Sequence, residues 1–149
     1  MVKSKILIFI LLLTLSCQHK DRDKKLIKDF AGSLSDPTVS TREILLKYME
    51  IDRVASDKSA VIDSVLTLQI EALRVFMENC QESYPVYNYE AAERNGLDGF
   101  FEIFGDDLKN VYFLECKSGR LIPFKISDHH KILSFSTIRK GDRRYFLEY

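Results

Sequence analysis

A segment of helical periodicity from Asp57 to Cys80 constrains the fold of this 149-residue chain more than any other feature. The segment contains no Gly or Pro, and its apolar residues recur at spacings typical of a helix with a buried side. A helix of this extent would be roughly 36 Å long at 1.5 Å per residue, enough to cross a whole domain. Such a helix needs a broad apolar surface to cover, and a β-sheet supplies one. The apolar positions are Val61, Ile62, Val65, Leu66, Ala72, Leu73, Phe76, Met77 and Cys80.

After Asn110 the spacing of the apolar residues changes to two, which predicts strands instead of helices. Four segments rich in Val, Ile, Phe, Tyr and Thr are separated by short turn sequences such as Lys-Ser-Gly and Arg-Lys-Gly-Asp. Because such short connections join antiparallel neighbours, the segments predict a four-stranded antiparallel meander. The predicted strands are Val111–Cys116, Arg120–Ile126, Lys131–Ile138 and Arg143–Tyr149.

Two shorter helices are predicted ahead of the long one, at Lys24–Leu34 and after Ser40. Pro37 ends the first because proline disfavours helix at the preceding residue, and Ser40 with Glu43 forms a capping box that opens the second. The predicted fold class is α+β, with N-terminal helices, including the long one at about 57–80, packed on a C-terminal four-stranded antiparallel meander. This order of elements resembles the NTF2-like and cystatin-like folds, which host enzymes and binding proteins alike and so imply no function.

The N-terminus has the composition of an export signal. Lys3 and Lys5 precede an apolar run, Ile6–Leu13, which is shorter than the roughly 20 residues that span a membrane. Thr-Leu-Ser then precedes Cys17. This segment resembles the lipobox of bacterial lipoproteins, in which the leader is cut before a Cys that carries a diacylglyceryl group. An ordinary secreted protein and an uncleaved anchor are the alternatives.

The lipoprotein resemblance implies a division of the chain and a location. Residues 1–16 would be the signal peptide, residues 17–25 a lipidated Cys with a polar tether, and residues 26–149 a single α+β domain. Two or more acyl chains, such as palmitate, on Cys17 would hold the domain on a membrane. Gln18 is similar to the residue after the Cys in lipoproteins sent to an outer membrane. The resemblance therefore implies a lipid-anchored protein of the bacterial cell envelope, at the outer membrane.

Lipidation of Cys17 would leave Cys80 and Cys116 in an oxidising compartment, with two alternatives for their state. A disulfide between them would close a loop of about 35 residues and stabilise the fold by roughly 3 to 4 kcal/mol. In the other alternative both are buried free thiols that pack as small apolar side chains.

The formal net charge of zero hides an uneven distribution along the chain. Residues 40–116 contain 15 acidic and 7 basic residues, whereas residues 117–144 contain 8 basic and 2 acidic ones. The overall balance excludes a general nucleic-acid binder, which needs a strong basic excess. The asymmetry has two interpretations: solvated halves that attract each other in the fold, or a basic surface for phosphate-bearing lipid or an acidic partner.

No residue pattern predicts a catalytic site, a metal site or a cofactor. His129 and His130 are adjacent, and neighbours on an extended chain point in opposite directions instead of converging on one ion. Ser127-Asp128-His129 has the residue types of a nucleophilic triad, but contiguous turn residues seldom reach that geometry. We therefore predict that the histidines are exposed turn residues. The acids of Asp106-Asp107 and Asp21–Asp23 are predicted to be solvated.

An aromatic-rich stretch is the first place to look for a binding surface, since aromatic side chains mark ligand pockets and protein contacts. In the alternative interpretation these rings fill one end of the core. The sequence thus favours a non-enzymatic envelope lipoprotein that binds a protein or a small apolar ligand. A toxin-neutralising immunity or inhibitor lipoprotein with an acidic decoy surface, and a small enzyme with an NTF2-like cavity, are the alternatives. The aromatic residues are Tyr84, Tyr87, Tyr89, Phe100, Phe101 and Phe104.

Overall fold

In the computed structural model, helices come first along the chain and most of the strands come last. The residues that the structure describes are 20–51, 59–80 and 85–147. The helices are α1 (20–35), α2 (Thr41–Tyr48), α3 (Ser59–Glu78) and α4 (Tyr89–Arg94). The predicted α+β class is confirmed, and α3 is the predicted long helix, which ends two residues before Cys80.

Side-chain hydrogen bonds fix the turn between α1 and α2. The capping box is present as predicted, because the Ser40 hydroxyl accepts from the Glu43 amide and the Glu43 carboxylate accepts from the Ser40 amide. From α3, the Arg74 guanidinium donates to the carbonyls of Leu34 (3.1 Å), Asp36 (3.2 Å) and Val39. These bonds hold the three N-terminal helices as one layer.

A four-stranded antiparallel sheet forms the second layer, with its strands adjacent in chain order. Its members are β1 (Val86–Asn88), β2 (Val111–Glu115), β3 (Leu121–Ile126) and β4 (Ile132–Ser134). Two further strands, β5 (Thr137–Lys140) and β6 (Arg143–Phe146), form a separate two-stranded hairpin, and Arg144 of β6 also makes a parallel bridge to Ile103. The four-stranded antiparallel meander is therefore confirmed, although β1 supplies one of its strands and the last predicted strand belongs to the hairpin.

Ser134 explains why the predicted strand at 131–138 is two strands. Its side chain is fully buried, donates to the Ser136 carbonyl at 3.1 Å and accepts from the Ser136 amide at 3.3 Å. Such local bonds compete with the sheet ladder, so the chain turns at 135–136 and leaves the sheet.

Strand β2 is buried on both faces, because the helices cover one face of the sheet and an aromatic cluster covers the other. Tyr112 and Leu114 point toward the helices, whereas Val111 and Phe113 point away from them, as strand alternation requires. We call the first cluster the helix-side core, and its large members include Phe30, Ile44, Leu66, Ile70, Tyr112, Phe124 and Ile132. We call the second the aromatic-side core, which contains Tyr89, Ala92, Ile103, Val111, Phe113 and Phe146.

Part of the segment predicted to be a tether belongs to the folded domain. Residues 20–25 are helical in α1, and Asp23 is buried against the sheet. The prediction of a tether through residue 25 is wrong for this part, because Asp23 has hydrogen-bond partners in the core. Cys17 and the predicted leader lie outside the described residues.

Candidate functional site

A second apolar stripe runs along the side of α3 that faces away from the sheet. Val61, Leu68 and Val75 are 64%, 71% and 63% exposed, and Val65 between them is 37% exposed. Their spacing of four, three and seven residues places them on one side of the helix, with the exposed Ala72 in the remaining gap. Of the six large apolar side chains exposed among the described residues, four lie in this stripe.

Helix α2 adds a fifth exposed apolar side chain. Leu46 is 56% exposed and lines a groove together with Asp63 and Thr67 of α3. We call this set the α3 surface, consisting of Leu46, Val61, Val65, Leu68 and Val75. The sequence pattern assigned Val61 and Val65 to the core. That assignment is wrong because the buried and the exposed apolar stripes of α3 repeat at the same helical spacing, so spacing alone does not separate them. The signal that could have separated them is the small number of polar residues in the segment, because a one-sided helix needs a wider polar face.

Acidic side chains border the α3 surface. Asp63 lies in the groove beside Leu46, and Glu71 and Glu78 line a second groove, of about 420 Å³, next to Val75. Arg74 lines the same groove, but its guanidinium donates to the three backbone carbonyls of the α1–α2 turn. The surface therefore presents apolar area with three acids along its edge beside α2, where Arg42 lines the same groove as Asp63.

The β5–β6 hairpin carries the opposite charge. Its register places Lys140 opposite Arg143 and Arg139 opposite Arg144, so two pairs of like charges face each other across the strands. Directly opposed like charges destabilise an antiparallel pair. The Asp142 carboxylate, at the turn, lies 3.9 Å from the Arg139 guanidinium, and the Asp142 side chain is fully exposed. We call β5 and β6 with their turn the basic hairpin.

Aromatic rings support three of these cations. The Arg144 guanidinium carbon lies 4.2 Å from the ring centroid of Phe101, and that of Arg143 lies 5.2 Å from the centroid of Phe104. The Lys140 ammonium lies 5.8 Å from the centroid of Tyr145. Cation–π contacts at these distances hold the charges in place and leave them able to meet an anion.

Asp23 joins two distant parts of the sheet in a buried hydrogen-bond network. The Tyr112 hydroxyl donates to one carboxylate oxygen at 2.9 Å, and His130 Nδ1 lies 2.8 Å from the other. The side chains of His130 and Asp23 are only 12% and 10% exposed, so the prediction that both are solvated is wrong. Their burial follows from this pairing, since a carboxylate enters a core only with partners. Burial and the Asp23 carboxylate raise the pKa of Tyr112 above its ordinary value.

The backbone at His130 is strained. Its φ of 56° lies in the left-handed region, which His adopts more readily than most residues but still at a cost. The turn amide of His130 donates to the Ser127 carbonyl at 3.0 Å, and the Asp23 pairing fixes the ring. The contact tightens the link between α1 and the sheet, which is a structural role.

Ser127, Asp128 and His129, which have the residue types of a triad, have separate partners. The Ser127 hydroxyl accepts from the amides of His129 (3.2 Å) and Lys131 (3.3 Å), which makes it a turn residue. His129 is exposed, as predicted, and its Nδ1 lies 3.2 Å from the Glu50 carboxylate. The pKa of Glu50 is lowered, and the main cause is a hydrogen bond from the Ser127 side chain. Asp128 accepts a 3.5 Å bond from Asn110.

Of the paired acids, Asp107 is exposed, and its carboxylate lies 2.7 Å from the Lys109 ammonium. The hydrogen bond from Lys109 is the main reason that the pKa of Asp107 is lowered. Asp106 is different, because its side chain is only 7% exposed and pairs with the Lys125 ammonium, itself 17% exposed. The prediction that both acids are solvated is wrong for Asp106. Lys125 lies opposite Val111 in the register, which places this ion pair on the aromatic side of the sheet.

The aromatic stretch divides between core and surface. Tyr89 is buried, and Phe100 and Phe101 are half-buried, each with its ring centroid 5.4 Å from that of Phe113. Tyr87 is partly buried and packs against the same core, while Tyr84 lies outside the described residues. These rings fill the aromatic-side core, as the alternative interpretation predicted, and only Phe101 with Phe104 reaches the basic hairpin.

Cys80 and Cys116 form a disulfide in the structure, with their Cα atoms 4.8 Å apart. Cys80 follows α3 and Cys116 follows β2, so the bond fastens the end of the long helix to the sheet. Both residues are fully buried in the helix-side core. The bonded alternative is therefore the one that the structure has.

Within residues 20–51, 59–80 and 85–147, His, Cys, Asp and Glu side chains nowhere gather in threes around a point that could hold a metal ion. Among the same residues, none of the helices has the length and apolarity that crossing a membrane requires. Beneath the helices, the buried rings of Phe30 and Phe124 pack edge to face with their centroids 5.8 Å apart. Comparison of the chain with protein-family models, with curated proteins and with solved structures finds no match.

Proposed function

We propose that this protein is a non-enzymatic binding module, anchored by lipid on Cys17 to the bacterial cell envelope, that binds a protein partner on the α3 surface. The observation that carries the binding role is the exposed apolar stripe of α3. Soluble domains rarely expose a contiguous apolar patch without a use for it, because contact between an apolar side chain and water is unfavourable and burial lowers the free energy. The lipobox resemblance supports the anchor and an outer-membrane location.

The spacing and charge of the α3 surface define the partner. Apolar residues at alternating spacings of four and three match the seam along which two helices pack. Asp63, Glu71 and Glu78 lie along the edge of that seam beside α2. They outnumber Arg42 there, so a second acidic helix would be repelled. A helix with an apolar stripe and flanking Lys or Arg residues fits both features, and we propose such a basic amphipathic helix as the partner.

The same acidic border favours a second candidate function within this class. An immunity or inhibitor lipoprotein neutralises a toxin by covering a surface that the toxin needs, and toxins that act on nucleic acid or anionic lipid use basic surfaces. An acidic apolar face on an anchored protein would act as a decoy for such a surface. This candidate places the toxin's basic helix on the α3 surface.

A designed peptide tests the partner chemistry. The probe is a synthetic helical peptide of about three heptads with Leu at the seam and Lys at the flanks, titrated against the full chain held in nanodiscs of neutral phosphatidylcholine. We expect binding, measured by fluorescence anisotropy, and roughly tenfold weaker binding by the variant Leu68→Ser with Val75→Ser. A peptide with the same Leu residues and Glu at the flanks should bind roughly tenfold more weakly than the Lys peptide.

Leu108 supplies the matched control, since it is an exposed large apolar side chain outside the α3 surface. Leu108→Ser should bind the Lys peptide as the unaltered chain does. Equal affinity for the Lys and Glu peptides, or full affinity in the Leu68→Ser and Val75→Ser variant, would disprove the proposed partner.

The anchor has a separate test. Mass spectrometry of the chain extracted from bacterial membranes should find residues 1–16 removed and a diacylglyceryl group on Cys17, and Cys17→Ser should abolish both. An unmodified Cys17 thiol on a chain that keeps its leader would refute the anchor and leave the peptide result standing.

A further inference from the structure

The basic hairpin has two faces, and they differ in what they contact. One face carries the pair Arg139 and Arg144 and, farther from the turn, the pair Thr137 and Phe146. Phe146 is buried in the aromatic-side core. That face therefore turns inward at its base. On the other face the pair Lys140 and Arg143 is followed by Ile138 and Tyr145, which are half-exposed. This second face is the outward one.

The outward face combines cations with supporting rings. Arg143 lies over Phe104 and Lys140 lies over Tyr145, and the centroids of these two rings are 6.4 Å apart. Gly105 adopts a φ of +79°, which favours glycine, and so lets the chain turn beside the Tyr145 ring. Two exposed cations are thus held side by side on a half-buried aromatic base.

The arrangement is unfavourable for the hairpin alone. Lys140 and Arg143 are directly opposed in the register, and like charges so placed repel each other. The acid at the turn, Asp142, lies next to Arg139 on the inward face. An external anion that contacts both outward cations would offset the repulsion between them, so the paired cations favour binding of an anion.

We propose that the outward face of the basic hairpin, formed by Lys140, Arg143, Phe104 and Tyr145, docks on the phosphate-bearing headgroups of an anionic membrane. Lys and Arg near an anionic bilayer each gain about a fivefold preference for the surface, while aromatic rings favour the depth of the headgroups. A lipid anchor with a basic patch is a stable two-part attachment. Docking goes beyond the proposed function, because it would orient the domain and leave the α3 surface, on the other side of the sheet, open to a partner.

Amine footprinting on the full chain tests the docking. The chain is reconstituted in vesicles of phosphatidylcholine alone or with phosphatidylglycerol, and an uncharged acetylating reagent is applied briefly. Mass spectrometry then gives the acetylation rate of each lysine. We expect Lys140 to react roughly tenfold more slowly on the anionic vesicles, while Lys28 on the exposed side of α1 serves as the internal control. High salt should restore the Lys140 rate, because docking through charge is screened.

Variants at the neighbouring cation separate docking from a local effect. Arg143→Gln should reduce the protection of Lys140 roughly fivefold, and Arg143→Lys should keep it. Arg42→Gln, which removes an exposed charge on α2, is the matched control and should change nothing. Protection by inorganic phosphate on neutral vesicles, to the level seen on anionic ones, would identify a free-phosphate site and overturn membrane docking. Equal Lys140 rates on both vesicles would overturn it as well, and an acidic protein surface would then be the competing partner.

Discussion

Among the described residues, a carboxylate is buried on each face of the sheet, but the two are stabilised in different ways. On the helix side, Asp23 accepts from the Tyr112 hydroxyl and pairs with His130. On the aromatic side, Asp106 pairs with the Lys125 ammonium. The helix side also has the disulfide, which fastens the end of α3 to the sheet. On the helix side the disulfide fastens α3 and the Asp23 network fastens α1, whereas the aromatic side has an ion pair and the basic hairpin.

Removal of the disulfide is the strongest way to break this comparison. The variant Cys80→Ala with Cys116→Ala frees a loop with a sequence separation of 36 residues. We expect it to lose about 4 kcal/mol of unfolding free energy, measured by urea denaturation, because the unfolded chain regains its loop entropy. The unaltered chain under reducing conditions is the control and should unfold at the same urea concentration as the variant. Identical midpoints with and without reductant would show that the disulfide does not stabilise the helix side.

The Asp106 pair gives the next largest effect, now on the aromatic side. Asp106→Ala leaves the Lys125 ammonium, whose side chain is 17% exposed, without its carboxylate. We expect a loss of about 3 kcal/mol of unfolding free energy, because a partly buried cation then lacks that counter-charge. Asp107→Ala is the matched control, since its exposed pair with Lys109 should contribute less than about 1 kcal/mol. A similar loss in both variants would mean that burial of Asp106 does not matter to its energy.

Local patterns explain which parts of this fold the sequence could predict. The capping box at Ser40, the helical stretch of α3 and the strands β2 and β3 depend on residues close to one another in the chain, and each is present. The break at Ser134 escaped prediction because it depends on one hydroxyl that bonds its own backbone instead of extending the ladder. Similarly, the two stripes of α3 follow the same helical spacing, so only the packing shows which one is buried.

The buried polar contacts could not be predicted, because they join distant residues. Asp23 and His130 are 107 positions apart, and nothing near either one indicates that the other will cover it. Asp106 and Lys125 meet because the chain before β2 folds back over β3, which depends on the whole arrangement of the aromatic side. Of the candidate surfaces, the charge asymmetry indicated the basic hairpin in outline, but its opposed pairs follow only from the strand register.

The smallest effect concerns the neutral partner of Asp23 and depends on pH. Burial and the Asp23 carboxylate raise the pKa of Tyr112, so the folded chain keeps a proton that the unfolded chain loses above about pH 10. The unaltered protein should therefore lose stability as the pH rises above that value, whereas Tyr112→Phe lacks this contribution. At neutral pH the variant should be about 1 kcal/mol less stable through its lost hydrogen bond, and the gap should narrow from pH 10 upward. Urea denaturation from pH 8 to about 11 measures the gap, with Asp23→Asn as the control that weakens the dependence. Parallel stability curves for the unaltered chain and Tyr112→Phe would show that the helix side does not hold Tyr112 in its neutral form.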